Sequence, residues 1–474
     1  MSEAELLRRA AQHAVAYLES LESRPVSRPL DLAALRAGLD RPLPEAGLPS
    51  EQVIDELVRA AEPGLLACSG GRFFGWVIGG THPAALAADW LTATWDQNAG
   101  ASACSPASAV VEEVCGRWLK DLLGLPAGAS FALVTGCQMA HATALAAARH
   151  RLLRERGWDV ECDGLSGAPS IRVLTSEHRH ESLLRALRFV GIGSGNLIAL
   201  PCDDSGRIAL GALESALAEE PERPTVVSLQ AGDLNSGAFD PFAEACALAH
   251  GAGAWVHVDG AFGLWANVSE RTRPLLAGVE QADSWATDGH KWLNLPFDSG
   301  FVFVADPRAH SAAFAQEASY SLPIEDLRNP KDWNPEWSRR ARAFPAYAAI
   351  RALGRAGIAA LVERCCDHAT AIVEGIESLD GVEVLARPQV NQGLLRFLDP
   401  GGDPGGDHCG LTDRVCAAVQ ADGRSWFGPT SWRGLRAMRV SVCSWRTTES
   451  DVAEAVEAVR DARAHVLAAR SGES

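Results

Sequence analysis

The stretch SWATDGHKWLNLPFDSGFVFVAD, Ser284 to Asp306, carries a single lysine, Lys291, between two apolar runs that read as buried strands. An ammonium group on a turn between such strands is costly, because burial strips its solvation and drives a lysine pKa down. Either Lys291 snorkels outward from a loop, or it is an amine kept available for covalent chemistry.

Working outward from this stretch, short β-branched runs alternate with helical ones from about residue 76 to residue 305. SFALVT (130–135) precedes QMAHATALAAARH, and IRVLTS (171–176) precedes HESLLRALRFVG. PTVVSLQ precedes PFAEACALAHGAG, which leads into AWVHVDG (254–260). Such βαβ alternation with near-continuous apolar strands predicts an α/β fold with a mostly parallel sheet covered on both faces. Residues 1–75 read as an N-terminal helical segment broken by a proline-rich connector. Residues 306–474 read as a loop, a long helix over FPAYAAIRALGRAGIAALVERC and a smaller α+β C-terminal domain.

The bulk numbers narrow the function classes. At 474 residues, 47% hydrophobic and 22% charged, the chain can bury a large core and form more than one domain. A net charge of −17 argues against nucleic acid or an anionic membrane as the main partner. Twelve scattered cysteines with no C-x-x-C give neither a zinc ribbon nor a disulfide framework. MSEAELLRRAAQHAVAYLESLES has acids and a helical apolar stripe where a signal peptide would have an apolar core, and no apolar run reaches the roughly 20 residues of a membrane span. The cytoplasm is the expected location.

In open α/β sheets, ligands sit at the carboxyl ends of the strands, and three polar features fall there. In LVTGCQMAHAT a strand runs into Gly136 and a helix start at Cys137–Gln138, whose free N–H groups can hold a phosphate. Asp259 closes the apolar strand of WVHVDGAFG, and SEHRHESLL places His178 and His180 after another strand. Taken singly, these are more often an ordinary turn, a cap and a structural histidine. Together with Lys291 they make an anion cradle, a buried carboxylate, an imidazole and an amine. That set suits pyridoxal phosphate, which needs a lysine to bond its aldehyde, a carboxylate at the ring nitrogen, a phosphate cradle and a flat group on the ring.

HVDGAFG, ADSWATDGHKWLNLPFDSGFVFV and WSRRARAF resemble the pyridoxal-dependent group II amino acid decarboxylases, and the likeness runs from GRFFGWVIGG to MRVSVCSWRTTESDV. The resemblance implies the fold of aspartate aminotransferase. It also implies that Lys291 bonds the cofactor, that His290 contacts its phosphate and that Asp259 pairs with the pyridinium nitrogen. Ala261 then packs beneath the ring and His180 stacks on its other face. TGCQMA takes the place of the family's phosphate segment, so Gly136, Cys137 and Gln138 are expected to bind mainly through backbone amides.

The chain departs from the family pattern in two places. GDLNSGAFD (232–240) puts Asp233 or Leu234 where a threonine often lies near the cofactor. IEDLRNPKDWNPEWSRR lacks the loop tyrosine credited with returning a proton to the substrate carbon; Trp333 and Trp337 stand there, and Tyr320 is the nearest phenol. The implied reaction is decarboxylation of an L-amino acid, apolar or aromatic, to the amine and CO2. The alternatives are an aminotransferase or carbon–carbon lyase of the same fold, or decarboxylation coupled to oxidation by O2, giving an aldehyde. Phe73, Phe74, Trp76 and Trp333 are candidate substrate contacts, although a strand's period of two equally suits core roles for the first three. The segment 100–103 is a further pocket candidate. A homodimer whose sites draw on both chains is also expected from the resemblance.

Overall fold

The computed structural model describes residues 1–316, 324–401 and 406–471. They divide into two compact units. One comprises Val77–Asp367 and Pro388–Gln392; the other comprises Met1–Trp76, His368–Arg387 and Gly393–Ser474. One break falls at Trp76–Val77, and pairings that link distant segments join Met1–Trp76 to residues from the C-terminal half.

The larger unit is built on a seven-stranded sheet: β1 (Ser130–Val134), β2 (Arg172–Ser176), β3 (Leu197–Leu200), β4 (Thr225–Gln230), β5 (Trp255–Asp259), β6 (Ser284–Asp288) and β7 (Gly300–Val304). Its spatial order is β1-β7-β6-β5-β4-β2-β3. All strands but β3 are buried at every position, as the continuous apolar runs require of a sheet covered on both faces. β3 pairs parallel to β2, β2 to β4, β4 to β5, and β5 to β6. β7 runs antiparallel to both β6 and β1.

That reversal follows from chain length. The link between β6 and β7, residues 289–299, holds no helix to cross back over the sheet, so the strands can only meet head to tail. It therefore hangs at the carboxyl ends of the parallel strands, and His290 and Lys291 hang with it.

The helix Cys137–Arg154 follows β1, and its alanine-rich middle is buried nearly all round. Gly300 at the start of β7 lies so close to Gly136 that a Cβ there would come within 2.4 Å of the Gly136 Cα. The expected long helix spans Ala343–Glu377, but Gly354 breaks it with φ 62°, a left-handed conformation that glycine adopts at little cost.

In the other unit, a five-stranded sheet takes the order Phe73–Phe74, Trp426–Trp432, Leu435–Ser441, Gln392–Phe397, Val382–Ala386. Phe73 and Phe74 pair parallel with Trp426 and Phe427. This pairing is why the N-terminal residues join the C-terminal unit. No helix among the described residues is long and apolar enough to cross a membrane.

Candidate active site

The carboxyl ends of β5 and β6 present two buried carboxylates, Asp259 and Asp288. Asp288 Oδ1 accepts the Cys137 N–H at 2.6 Å, and its Oδ2 lies 3.1 Å from Lys291 Nζ. His290 Nε2 is 3.6 Å from Asp288 Oδ1. One carboxylate thus joins the turn before the helix Cys137–Arg154 to the lysine loop.

This arrangement reverses the expectation for the lysine pKa. Burial pushes it down, but the Asp288 carboxylate, with Asp259 beyond it, outweighs that, and the Lys291 pKa is raised. The amine is a held ammonium ion, only partly open to solvent. The loop is clamped from outside by Gly79, where a Cβ would meet the Lys291 carbonyl at 2.1 Å; the Gly79 N–H donates to the His290 carbonyl. Only glycine allows that approach.

Asp259 stands beside Cys137 and His141. Its Oδ1 accepts the Ala261 N–H at 3.2 Å and lies 3.8 Å from Cys137 Sγ, while its Oδ2 is 3.4 Å from His141 Nε2. Burial works to raise its pKa, yet His141, then His180 and Lys291, hold it below the ordinary carboxylate range. Burial drives the Cys137 thiol well upward, so it stays protonated.

His180 caps the helix Glu181–Phe189, its Nδ1 2.7 Å from Ser182 Oγ. Its ring is exposed, yet enough protein surrounds it to lower its pKa, with Asp259 and Lys291 near enough to act on it. Gln138 donates from Nε2 to the Ser182 carbonyl, which ties the two helix starts together.

The set fits pyridoxal phosphate. His290 Nδ1 is buried without a hydrogen-bond partner. Gly136 leaves room where a Cβ would sit 3.3 Å from His290 Cε1. An orphaned donor beside a glycine turn at a helix start is what a phosphate would fill.

The other candidates have the following surroundings. Phe73 and Phe74 are buried in the smaller sheet, stacked on Trp426 and Phe427 at 4.9 and 5.2 Å between centroids. Trp76 also stacks on Trp426, at 4.9 Å, but is 53% exposed. Trp333 packs edge-on to His310 at 5.3 Å beneath the Arg328 guanidinium. Asp233 is spent on its own turn, accepting N–H groups of Asn235 and Ser236. In the 100–103 segment, Ser102 is buried and its N–H donates to Asn329 Oδ1. Tyr320 lies outside the described residues.

Asp288, His141 and His257 went unread as site residues in the sequence. Asp288 is three residues before Lys291, and His141 shares a helix face with Cys137 four residues earlier. His257 is two residues before Asp259, on the same face of its strand. A search for polar residues at those spacings from Lys291, Cys137 and Asp259 finds all three.

The chain is 28% identical over 81% of its length to an aromatic-L-amino-acid decarboxylase of Bacillus atrophaeus, covering 79% of that protein. It is 29% identical over 88% to an L-2,4-diaminobutyrate decarboxylase of Rhizobium meliloti (strain 1021), covering 83%. The crystal structure of Oryza sativa TDC with PLP and tryptamine has the same fold, with a TM-score of 0.91, 22% identity and 98% of each chain covered. Residues 33–398 match the pyridoxal-dependent decarboxylase conserved domain, so the chain belongs to that family, as a fold type I amino acid decarboxylase whose cofactor is pyridoxal phosphate.

Proposed function

We propose that the protein removes the α-carboxylate of an apolar or aromatic L-amino acid, releasing the amine and CO2. The observation that carries this reading is the meeting of Lys291, Asp259 and Asp288 at the ends of two adjacent strands, with His180 in electrostatic range. Pyridoxal phosphate, when bound, spreads the electron pair left behind as the bond to the carboxylate breaks.

The chain's own residues divide the remaining work. Lys291 would hold the cofactor through its aldehyde, and Asp288, 3.1 Å away, would hold the Lys291 amine as an ammonium when it is free. Asp259 keeps a negative charge for the ring nitrogen, and Ala261, directly after Gly260, leaves room for the ring. His180 would cover the ring, and among the described residues it is the candidate to return a proton to the substrate carbon. Its lowered pKa leaves a neutral imidazole near pH 7, which can accept a proton from one site and pass it to another. His290, Gly136 and the backbone of Cys137 and Gln138 would hold the phosphate.

For the substrate side chain, Trp76, 53% exposed, stays a candidate, whereas Phe73 and Phe74 are buried in their own sheet. The relatives named above take an aromatic and a cationic amino acid, so family membership leaves this choice open. We further infer a homodimer. The helices Glu3–Ser20, Leu32–Leu39 and Ser50–Ala61 bury no residue fully and expose Leu7, Leu32, Leu39 and Leu57, apolar surface that a second copy would cover.

The test is to assay the cofactor-loaded protein against twenty amino acids while measuring CO2, amine and peroxide together. Amine matching CO2 with an apolar or aromatic substrate is expected. Turnover confined to acidic or basic amino acids would refute the substrate class, and peroxide matching CO2 with no amine would refute the reaction.

A further inference from the structure

Behind Asp259 runs a line of buried polar groups that the chemistry above does not use. Asp259 Oδ2 is 3.4 Å from His141 Nε2, and His141 Nδ1 is 2.9 Å from His257 Nε2. His257 Nδ1 is 2.9 Å from Ser284 Oγ, which also accepts the Trp255 indole N–H at 2.9 Å. His141, His257 and Ser284 are 0% exposed, so no solvent can substitute for a missing partner.

The proton positions along this line follow from its far end. An indole nitrogen can only donate. It therefore occupies a lone pair of Ser284, whose own O–H turns to His257 Nδ1. That makes His257 the Nε2–H tautomer, donating to His141 Nδ1, and leaves His141 with its proton on Nε2, aimed at Asp259. The reverse order would point a nitrogen lone pair at a carboxylate and leave the serine proton unused. Burial, together with His141, pushes the His257 pKa down to about 3, so it is neutral and carries one proton to place.

We propose that Trp255, Ser284, His257 and His141 form a one-directional hydrogen-bond relay that positions Asp259 and holds it ionised toward the cofactor's ring nitrogen. The inference rests on the reading of Asp259 given above. Each donor polarises the next, so the last, His141 Nε2–H, is a stronger donor than an isolated imidazole. With Cys137 and the Ala261 N–H on Oδ1 and His141 on Oδ2, the carboxylate is fixed in plane and keeps free lone pairs for one further donor. His141 and His257 are positioning residues: they act on the cofactor only through Asp259.

The relay is tested by binding as well as by turnover. The probes are pyridoxal phosphate and its 1-deaza analogue, in which a C–H replaces the ring nitrogen. Their affinities are compared in the full-length wild type, His257→Leu and His257→Gln. The wild type should prefer the natural cofactor. His257→Leu should weaken the natural cofactor about ten-fold, the size of one polar hydrogen bond, and leave the analogue within about two-fold. His257→Gln should recover most of the loss, since its amide can donate to His141 Nδ1. Equal weakening of both ligands would show a merely structural role and overturn the relay, as would no weakening in His257→Leu. A wild type indifferent to the ring nitrogen would overturn the Asp259 reading itself, and the relay with it. Should His257→Leu fail to fold, 15N-histidine NMR of the wild-type protein decides: a neutral Nε2–H tautomer is expected at His257, and Nδ1–H there refutes the proposal.

Discussion

His310 offers a quantitative test of how this core responds to acid. Its Nδ1 lies 2.8 Å from Ser130 Oγ, and its Nε2 lies 2.7 Å from the Trp333 carbonyl, at zero exposure. Burial, helped by the nearby Arg328 charge, pushes its pKa from 6.5 down to about 3. His257 shows the same depression. A folded-state pKa below the unfolded one means that stability is complete above pH 6.5 and is lost as pH falls toward 3. Lowering the pH to about 5 should cost about 2 kcal/mol for each histidine, or about 4 kcal/mol for the pair, by proton linkage. His310→Gln keeps a donor for Trp333 and removes one titration. Urea midpoints measured from about pH 7.5 to about pH 5 should fall less steeply in the variant, with about 2 kcal/mol of the acid sensitivity gone. Parallel curves for the two proteins would mean that His310 is not buried as a neutral group, and the reasoning fails.

Lys291→Ala should lose the visible band that borohydride removes; a reducible band that survives in the variant would shift the amine's role to another residue. Asp259→Asn should bind cofactor yet turn over about 10- to 150-fold more slowly, as expected for losing about 1.5–3 kcal/mol of charge-assisted hydrogen bonding, and near-normal turnover in steady-state assays would count against its role at the ring nitrogen. Glu112 is buried and pairs with Arg339 at 2.6 Å and Arg328 at 3.2 Å. Glu112→Gln should destabilise the protein by about 3–5 kcal/mol in denaturant melts, because two guanidinium groups lose their anion, and a cost below about 1 kcal/mol would show the pair to be solvated.

Much of the larger unit was legible because its signals are local. Each strand is a continuous apolar run, and Asp259 and Lys291 follow such runs directly. What escaped reading depends on which runs become neighbours. Asp288 looks like a turn residue until the β6–β7 reversal brings Gly136 and the Cys137 N–H against it. The Asp288 carboxylate, three residues before Lys291, turns the expected drop in the Lys291 pKa into a rise. His141 reads as a polar interruption of an alanine-rich helix, and only the packing of that helix on β5 gives it Asp259 and His257 as partners. Phe73 and Phe74 carried an ambiguity that sequence cannot resolve, since an aromatic pair suits a pocket and a strand alike. Their partner strand begins at Trp426, and it decides that they are buried.

That same pairing sets an order of events during synthesis. Phe73 and Phe74 leave the ribosome long before the strand they join, at Trp426 and Phe427, is made. The larger unit, closed by residues up to Gln392, can form its sheet while the chain is still growing. Phe73 and Phe74 must wait, unpaired, until the strand Trp426–Trp432 arrives. A nascent chain stalled before Trp426 should therefore hold a folded large unit and an uncovered Phe73–Phe74 pair.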